Sequence, residues 1–315
     1  MNKRKVGVIG CGFVGSTIAF ELMQNDLFDE IALIDANKEK AIGEALDIAH
    51  GAPFVKPIKI YAGDYDDLAD AGMIIITAGV AQKKDGNETR LQLVQRNVNV
   101  FKMIIPEITK RNFQGILLVV SNPVDILTMV TLKLSGYEPH RVIGSGTVLD
   151  TARLKYHIGE HLNIDPRSVH VYIVGEHGDS EIATWSVATV AGLPLNDFCE
   201  LRGHFEHKQA EDKIQEMVRR SGYEILTRKN ATYYGVAMAV NRICKAILSN
   251  ERAILPVSSM LHGEYGLNDV CLSVPTVVTS KGVEEKIILK LSQEEIQNLH
   301  KSANTLKEVF NGIEW

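Results

Sequence analysis

Cysteine is scarce in this 315-residue chain, and no thiol stands near another in sequence. Cys11, Cys199, Cys244 and Cys271 form no Cys-x-x-Cys pair and have no histidine at zinc-ligand spacing. That argues against a disulfide framework and against a zinc or other metal site, and leaves free cytosolic thiols as the expectation. Long hydrophobic runs are missing too. Met1-Asn2-Lys3-Arg4-Lys5 has the charge of an export signal, but the apolar stretch behind it is broken by glycines and then by Glu21. Neither export nor a membrane span is expected, so the chain should be cytoplasmic. Asn87-Glu88-Thr89 and Asn230-Ala231-Thr232 are then chance matches to a glycosylation pattern. A basic stripe is also absent: 34 basic and 39 acidic residues are interspersed to a net charge of -5, which speaks against nucleic acid. No repeat, low-complexity tract or long linker interrupts the chain.

What is present is 45% apolar residues, enough for one large or two medium domains with buried cores. Short β-branched runs bounded by Gly, Asp or Asn read as strands over Val6–Ile9, Ile31–Ile34, Ile58–Tyr61, Met73–Thr77 and Ile116–Ser121. Between them Val14–Gln24, Lys38–His50, Leu91–Arg111 and Asp125–Leu134 carry apolar residues at helical spacing. Continuous apolar strands suit a parallel sheet covered on both faces, and the alternation is that of a doubly wound fold. After about residue 145 the rhythm changes. Val148–Leu162 and Glu206–Arg228 read as long helices, Val169–Val174, Ile182–Val187, Ala253–Leu261 and Leu272–Val278 as strands, and Gln293–Phe310 as a docked terminal helix. The expected fold is α/β: an N-terminal doubly wound parallel sheet (Rossmann) over 1–145, followed by an α+β domain with mixed and antiparallel strands over 146–315.

Gly10-Cys11-Gly12-Phe13-Val14-Gly15 follows the first strand and opens the first helix. There the three glycines can make the tight turn, admit a pyrophosphate and let helix meet sheet. Alone, such a loop is as readily an ordinary glycine turn. Asp35, twenty residues beyond Gly15, ends the second strand, where a carboxylate can accept from both ribose hydroxyls of an adenosine half. No arginine stands in Asp35-Ala36-Asn37-Lys38 to favour a 2′-phosphate, so the reading is NAD rather than NADP.

Four further segments carry chemistry, each with a plainer alternative. Gly175-Glu176-His177-Gly178-Asp179 puts a histidine at a strand end between glycines, suited to acid-base work, though a single histidine is often structural. Asp150-Thr151-Ala152-Arg153 places a carboxylate and a guanidinium on one helix face, which is also how a surface ion pair looks. Ser121-Asn122-Pro123-Val124-Asp125 ends a strand at the sheet's carboxyl edge, where Asn122 could equally be a helix cap. The polar segment Gly79 to Arg90 reads as a mobile lid or an ordinary exposed loop.

In this order and spacing the segments resemble the L-lactate/malate dehydrogenase family over essentially the full chain, its bacterial lactate branch most of all. The resemblance implies reversible NADH-dependent reduction of a 2-keto acid, pyruvate to L-lactate first, in fermentative regeneration of NAD at the end of glycolysis. It implies that His177 exchanges the proton at the substrate oxygen and that Asp150 orients and charges it. Arg153 would clamp the substrate carboxylate, for which a planar fork is the natural partner. Arg90 would polarise the carbonyl, Asn122 hold its oxygen, and Thr232 line the pocket. Val14, Lys40, Tyr65, Gly79, Ser121, Asn122 and Ser145 join Gly10, Gly12, Gly15 and Asp35 as expected cofactor contacts.

Substrate choice is expected to rest on Gln82, where malate enzymes resemble this chain but carry arginine. A second carboxylate buried without a cation is costly, so glutamine favours pyruvate. Ten residues separate Gly79 from Arg90, more than is usual in the family. That length leaves open a cation from Lys83 or Lys84 and a malate-type preference, or room for bulkier acids as in hydroxyisocaproate-type enzymes. Family tetramers that bind fructose 1,6-bisphosphate do so at an arginine and a histidine. His170 matches the histidine and Lys155 stands at the arginine, keeping the charge and losing the fork. A homotetramer with allosteric activation is therefore expected, against the plainer reading of His170 as a strand residue. An NAD-dependent glycosidase would need a metal-holding cysteine near Ser121-Asn122-Pro123, and a non-catalytic relative would have lost some of these residues.

Replacing Asp35 with Ala or Ser should weaken NADH and relieve NADPH, shifting the ratio of their kcat/KM values by about tenfold or more, the worth of one charged hydrogen bond. Unchanged discrimination would remove Asp35 from the ribose site.

Overall fold

Apolar on both faces, the short strands of the first half stack side by side, and the helices between them cover both sides. The computed structural model describes residues 1–80 and 89–315, with Arg90 in backbone alone. β1 (Asn2–Ile9), α1 (Phe13–Gln24), β2 (Glu30–Ile34), α2 (Lys38–Ala49), β3 (Lys59–Ala62) and β4 (Ala71–Ile76) come first. α3 (Arg90–Thr109), β5 (Ile116–Val119), α4 (Val124–Ser135) and β6 (Val142–Gly144) follow. Their strands run parallel in the order β3-β2-β1-β4-β5-β6. The order reverses between β1 and β4, so their carboxyl ends open the crevice where sheets of this kind bind ligands.

The second half comprises α5 (Val148–Leu162), β7 (Val169–His170), β8 (Ile173–Val174), β9 (Ile182–Ala183), β10 (Thr189–Val190), β11 (Leu193–Pro194), α6 (Leu195–Leu201) and α7 (His207–Lys229). It continues with α8 (Tyr234–Leu248), β12 (Ala253–Leu255), β13 (Ser258–His262), β14 (Asn268–Ser273), β15 (Thr276–Thr279), β16 (Gly282–Lys286) and α9 (Gln293–Asn311). β13 and β14 extend the large sheet antiparallel beyond β6. The remaining strands form small antiparallel sheets, β11-β10-β7, β12-β15-β16 and β8-β9. Fold class is thus as expected, parallel α/β followed by mixed α+β.

Four expected strands are shorter or broken. Val169–Val174 divides because Tyr172 pairs with Thr184 through both backbone and hydroxyl, which turns the chain from the β10 sheet to the β9 sheet. Ile182–Val187 is a strand only over Ile182–Ala183, and Trp185–Val187 is a 3-10 turn. Ala253–Leu261 breaks at Pro256 and Leu272–Val278 at Pro275, each proline lacking the N–H that a ladder needs. Both breaks move the chain between sheets. α8 was not anticipated.

One apolar cluster lies between the large sheet and α3, α4 and α9, another between the sheet and α1, α2 and α8. A third gathers under α5, α6 and α7 around Leu154, Ile173 and Val218. α9 is started by a reciprocal Ser292–Glu295 cap, and Glu295 also accepts from the Ser186 N–H at 3.0 Å. That bond seats the terminal helix on the turn after β9.

Candidate functional site

Every segment singled out in the first half ends at the carboxyl edge of the sheet. After β1 the chain turns at Gly10, whose φ of +102° and whose closeness to the Ala78 backbone exclude a side chain. A Cβ on Gly15 would lie 1.8 Å from the Gly10 carbonyl oxygen, so α1 can approach β1 this closely only with glycine there. Gly12 is different: a Cβ there would meet nothing within 4 Å. It caps α1 without any side-chain hydrogen bond, leaving N–H groups at the positive end of the helix open to an anion. This is a cradle of the form a pyrophosphate fills.

Asp35 closes the other side. Its Oδ2 accepts from the Cys11 N–H at 2.7 Å and its Oδ1 from the Asn37 N–H at 2.9 Å, so the carboxylate is fixed with lone pairs to spare. Cys11 is buried, which pushes its thiol up to about 12, helped by the Asp35 charge. It is therefore no nucleophile. Thr77 donates to the Gly10 carbonyl at 2.7 Å, and Ser121 donates to the Ala78 carbonyl at 2.6 Å, joining the ends of β1, β4 and β5. Gly79 abuts Asn97, whose Oδ1 accepts from the Val80 N–H. Ser145 donates its N–H to Val119, and Asn122 stands exposed at the end of β5. Val14 is half-buried in the first turn of α1. Lys40 is exposed on α2, with its charge felt at Cys11, while Tyr65 stacks near the Arg111 guanidinium and makes no hydrogen bond to the glycine loop.

The second half brings its residues to the same edge by a chain of backbone bonds. Gly175 and Ser273 exchange N–H and carbonyl bonds at 2.8 and 3.0 Å, fixing the Gly175–Gly178 segment to β14. Thr147 donates from its hydroxyl to the Ile173 carbonyl at 2.6 Å, and Thr151 accepts from the Ile173 N–H at 2.8 Å. The first turn of α5 is thereby pinned to β8. Asp150 and His177 consequently meet: Nδ1 of the imidazole lies 2.5 Å from Asp150 Oδ2. Arg153 donates to the other oxygen, Oδ1, at 2.9 Å. Asp150 is 2% exposed, so this is an interior arrangement and not a surface ion pair.

The electrostatics follow from burial. The Asp150 charge, against the cost of burial, raises His177 to about 9. For Asp150, burial pushes upward, but the imidazolium and then Arg153 outweigh it and hold the carboxyl below its usual range. His177 is thus held as a proton donor, with its Nε2 not engaged by any described residue. Thr232 lies between α7 and α8, and its neighbour Tyr233 stacks on Phe13 of the glycine loop with ring centroids 5.5 Å apart. The stack brings the segment around Thr232 against the glycine loop.

Two acids went unassigned in the sequence. Asp125, 1% exposed in the first turn of α4, accepts from the His177 N–H at 2.8 Å and from the Ser258 hydroxyl at 2.5 Å. It is the one ionisable residue in the apolar run Val124–Leu132, a signal that was legible. Glu181, 3% exposed, leaves Oε1 without a partner, and burial with the Asp150 charge raises it to about 8. Gln82, Lys83 and Lys84 lie outside the described residues, and Arg90 is placed by its backbone at the start of α3. Lys155 lies further along α5, its ammonium lowered by burial, and His170 is exposed on β7. Neither touches the His177 group. Among the described residues no cluster of His, Cys, Asp and Glu could hold a metal, and no helix is long and apolar enough to cross a membrane.

The NAD binding domain of lactate/malate dehydrogenases matches residues 4–144, and their alpha/beta C-terminal domain matches 147–314. The chain is 55% identical to an L-lactate dehydrogenase of Acetivibrio thermocellus, covering 99% of this chain and 98% of that one. It is 52% identical to L-lactate dehydrogenase 1 of Clostridium acetobutylicum, covering 98% of each. The ligand-bound crystal structure of a minor L-lactate dehydrogenase from Enterococcus mundtii superposes with a TM-score of 0.95 at 44% identity, over 99% of both chains.

The His177–Asp150 pair titrates as a unit, and its sign is fixed. A histidine raised from 6.5 to about 9 lends the fold stability that is fully present below its unfolded value and lost as pH rises through about 9. The lowered Asp150 lends stability present above its unfolded value and lost as pH falls through the folded one. Histidine NMR of the unliganded protein should show the His177 midpoint near 9. In Asp150→Asn it should fall by about two units. A wild-type midpoint below 7 would contradict the pairing.

Proposed function

As the chain belongs to the lactate/malate dehydrogenase family, we propose that it is an NAD-dependent L-lactate dehydrogenase that reversibly reduces pyruvate to L-lactate. The observation that carries this is the buried carboxylate of Asp150, shared between His177 and Arg153 beside the dinucleotide crevice. The glycine cradle and Asp35 fit NAD, which when bound supplies the hydride. Residues 1–145 hold the dinucleotide, and 146–315 supply the acid and the clamp.

Arg153 has donors left over from Asp150 for a substrate carboxylate, and its fork sets that group's plane. Protonated His177 gives its proton to the keto oxygen as charge develops there, so a free alkoxide is avoided. Asn122 and Arg90 support the same oxygen, and Thr232 borders the pocket at the stacked Phe13–Tyr233 contact. When His177 has given its proton, Asp150 keeps Arg153 as a partner. Its charge therefore does not stand alone in the interior. In the reverse direction neutral His177 takes the hydroxyl proton of L-lactate.

Glutamine rather than arginine at position 82 offers no cation to a second substrate carboxylate, which favours a methyl group. Exposed Phe20, Ile42, Leu46 and Phe54 on and after α1 and α2 support self-association, as a homotetramer. Four unpaired, buried thiols support the cytoplasm as its place, where fermentation draws on glycolytic NADH. Lys155 and His170 are an arginine-poor version of a bisphosphate site, with weak activation by fructose 1,6-bisphosphate.

Loss of NADH absorbance should be fastest with pyruvate among pyruvate, oxaloacetate, 2-ketoisocaproate and phenylpyruvate, compared by kcat/KM. A preference for oxaloacetate would make it a malate enzyme, and one for the branched or aromatic acid a hydroxyisocaproate-type enzyme. His177→Asn should bind NADH normally and lose about 10²–10⁴ in kcat. Near-normal turnover in that variant would refute the assignment of the acid. Fructose 1,6-bisphosphate at subsaturating pyruvate should raise the rate, and Lys155→Ala should abolish the rise. A flat response in wild type would remove the effector site.

A further inference from the structure

Asp125 sits three residues after Asn122, on the segment that leads from β5 into α4. Its Oδ2 accepts the main-chain N–H of His177, and its Oδ1 accepts the hydroxyl of Ser258 on β13. Ser258 pairs with Gly144 of β6 and with Ser273 of β14, and Ser273 is the residue bridged to Gly175. Ser273 also accepts the Thr147 N–H through its hydroxyl at 3.1 Å, at the start of the helix that carries Asp150. A closed ring of bonds therefore runs from Asn122's segment through Asp125 to His177, back along β14 and β13, and to Asp125 again. Among the described residues no cation is bonded to its carboxylate, and burial raises Asp125 from the ordinary carboxyl range.

We propose that Asp125 is a positioning residue for the reaction assigned above. Its carboxylate fixes the His177 main chain relative to Asn122, and its charge favours the imidazolium. The inference rests on that reading of function only for its catalytic meaning. Two donors converge on Asp125, one from each side, so only a group with two acceptor atoms and no hydrogen of its own satisfies both. Asparagine would turn an N–H toward one of them. A neutral acceptor would also lack the charge that the imidazolium meets through the main chain.

Among the described residues few charged groups neighbour this pair; besides those that follow, buried Glu176 precedes His177 and accepts from the Ser180 hydroxyl. Asp150 from α5 bonds the imidazole, with Arg153 behind it, and Glu181 from the turn before β9 adds a weaker negative field. Arg219 of α7 faces Glu181, and the Cys271 thiol of β14 feels Asp125 but is held neutral by burial. Removing the Asp125 charge leaves Asp150 to hold the proton, so the imidazole should lose it at lower pH.

The test is a histidine NMR titration of the unliganded protein, with His177 assigned by the loss of its signal in His177→Asn. Wild type should titrate near 9. In Asp125→Asn the midpoint should fall by about one pH unit, and the alkaline limb of kcat/KM for pyruvate reduction should move down with it. Ser258→Ala removes one donor, favours a proton on Asp125, and should move both readouts the same way by less. Should Asp125→Asn not fold, Ser258→Ala decides alone. A His177 midpoint unmoved in the folded variants, with turnover lowered only in step with melting temperature, overturns the proposal. If wild type oxidises NADH with no 2-keto acid, the reading of function falls, and the titration still decides the role of Asp125.

Discussion

A single buried contact, His177 Nδ1 against Asp150 Oδ2 at 2.5 Å, is the constraint around which the second half of the chain is arranged. An imidazolium and a carboxylate removed from water are stable only as partners, so their main chains must be held to a fraction of an ångström. The fold meets that demand from two directions. Thr147 and Thr151 tie the start of α5 to Ile173 on β8, and Ser273 ties the Gly175 turn to β14. Neither tie uses a charged side chain. The ionisable groups are left to act on one another.

The same economy governs the other half of the site. Gly10 and Gly15 exclude side chains where β1, β4 and α1 converge, while Gly12 leaves space open. Thr77 and Ser121 close the gaps between strand ends with hydroxyl bonds to carbonyls. Phe13, inside the glycine loop, reaches across to Tyr233 and so joins the glycine cradle to the segment between α7 and α8 through an aromatic contact. Both halves meet at the reversal point between β1 and β4, with β13 and β14 extending the sheet beneath the Gly175–Gly178 turn.

The parallel strands, the glycine loop and Asp35 were legible because local pattern and final structure agree there. His177 and Asp150 were legible as residue types, and it was burial that turned an apparent surface pair into an interior one. The prolines at 256 and 275 were visible in the sequence, yet the runs around them were read as continuous strands. Apolar content outweighed the missing N–H groups. Val169–Val174 could not be divided from sequence, since the division depends on Thr184, far along the chain. α8 was legible and missed: Ala237, Val240, Ile243, Cys244 and Ile247 recur at helical spacing and form its buried face. Asp125 was legible as well, since a lone carboxylate in an apolar helix needs a partner.

Three carboxylates, Asp150, Asp125 and Glu181, act on one imidazole, and among the described residues only the Asp150 carboxylate has a cation bonded to it besides His177. Were all three fully ionised, the proton on His177 would be held too firmly to give away. Burial prevents this by raising Glu181 to about 8, while Asp125 turns its carboxylate to the His177 main chain and Ser258 rather than to the ring. Near neutral pH Glu181 is then largely protonated and adds little field. The proton on His177 is held chiefly by Asp150, whose own charge is shared with Arg153. In the function proposed here, a substrate carboxylate at Arg153 would draw on that same guanidinium, weaken its hold on Asp150, and so strengthen the pull of Asp150 on the imidazolium. On that proposal substrate binding and protonation of His177 would be coupled through one side chain, with the arginine fork serving the acid as well as the clamp.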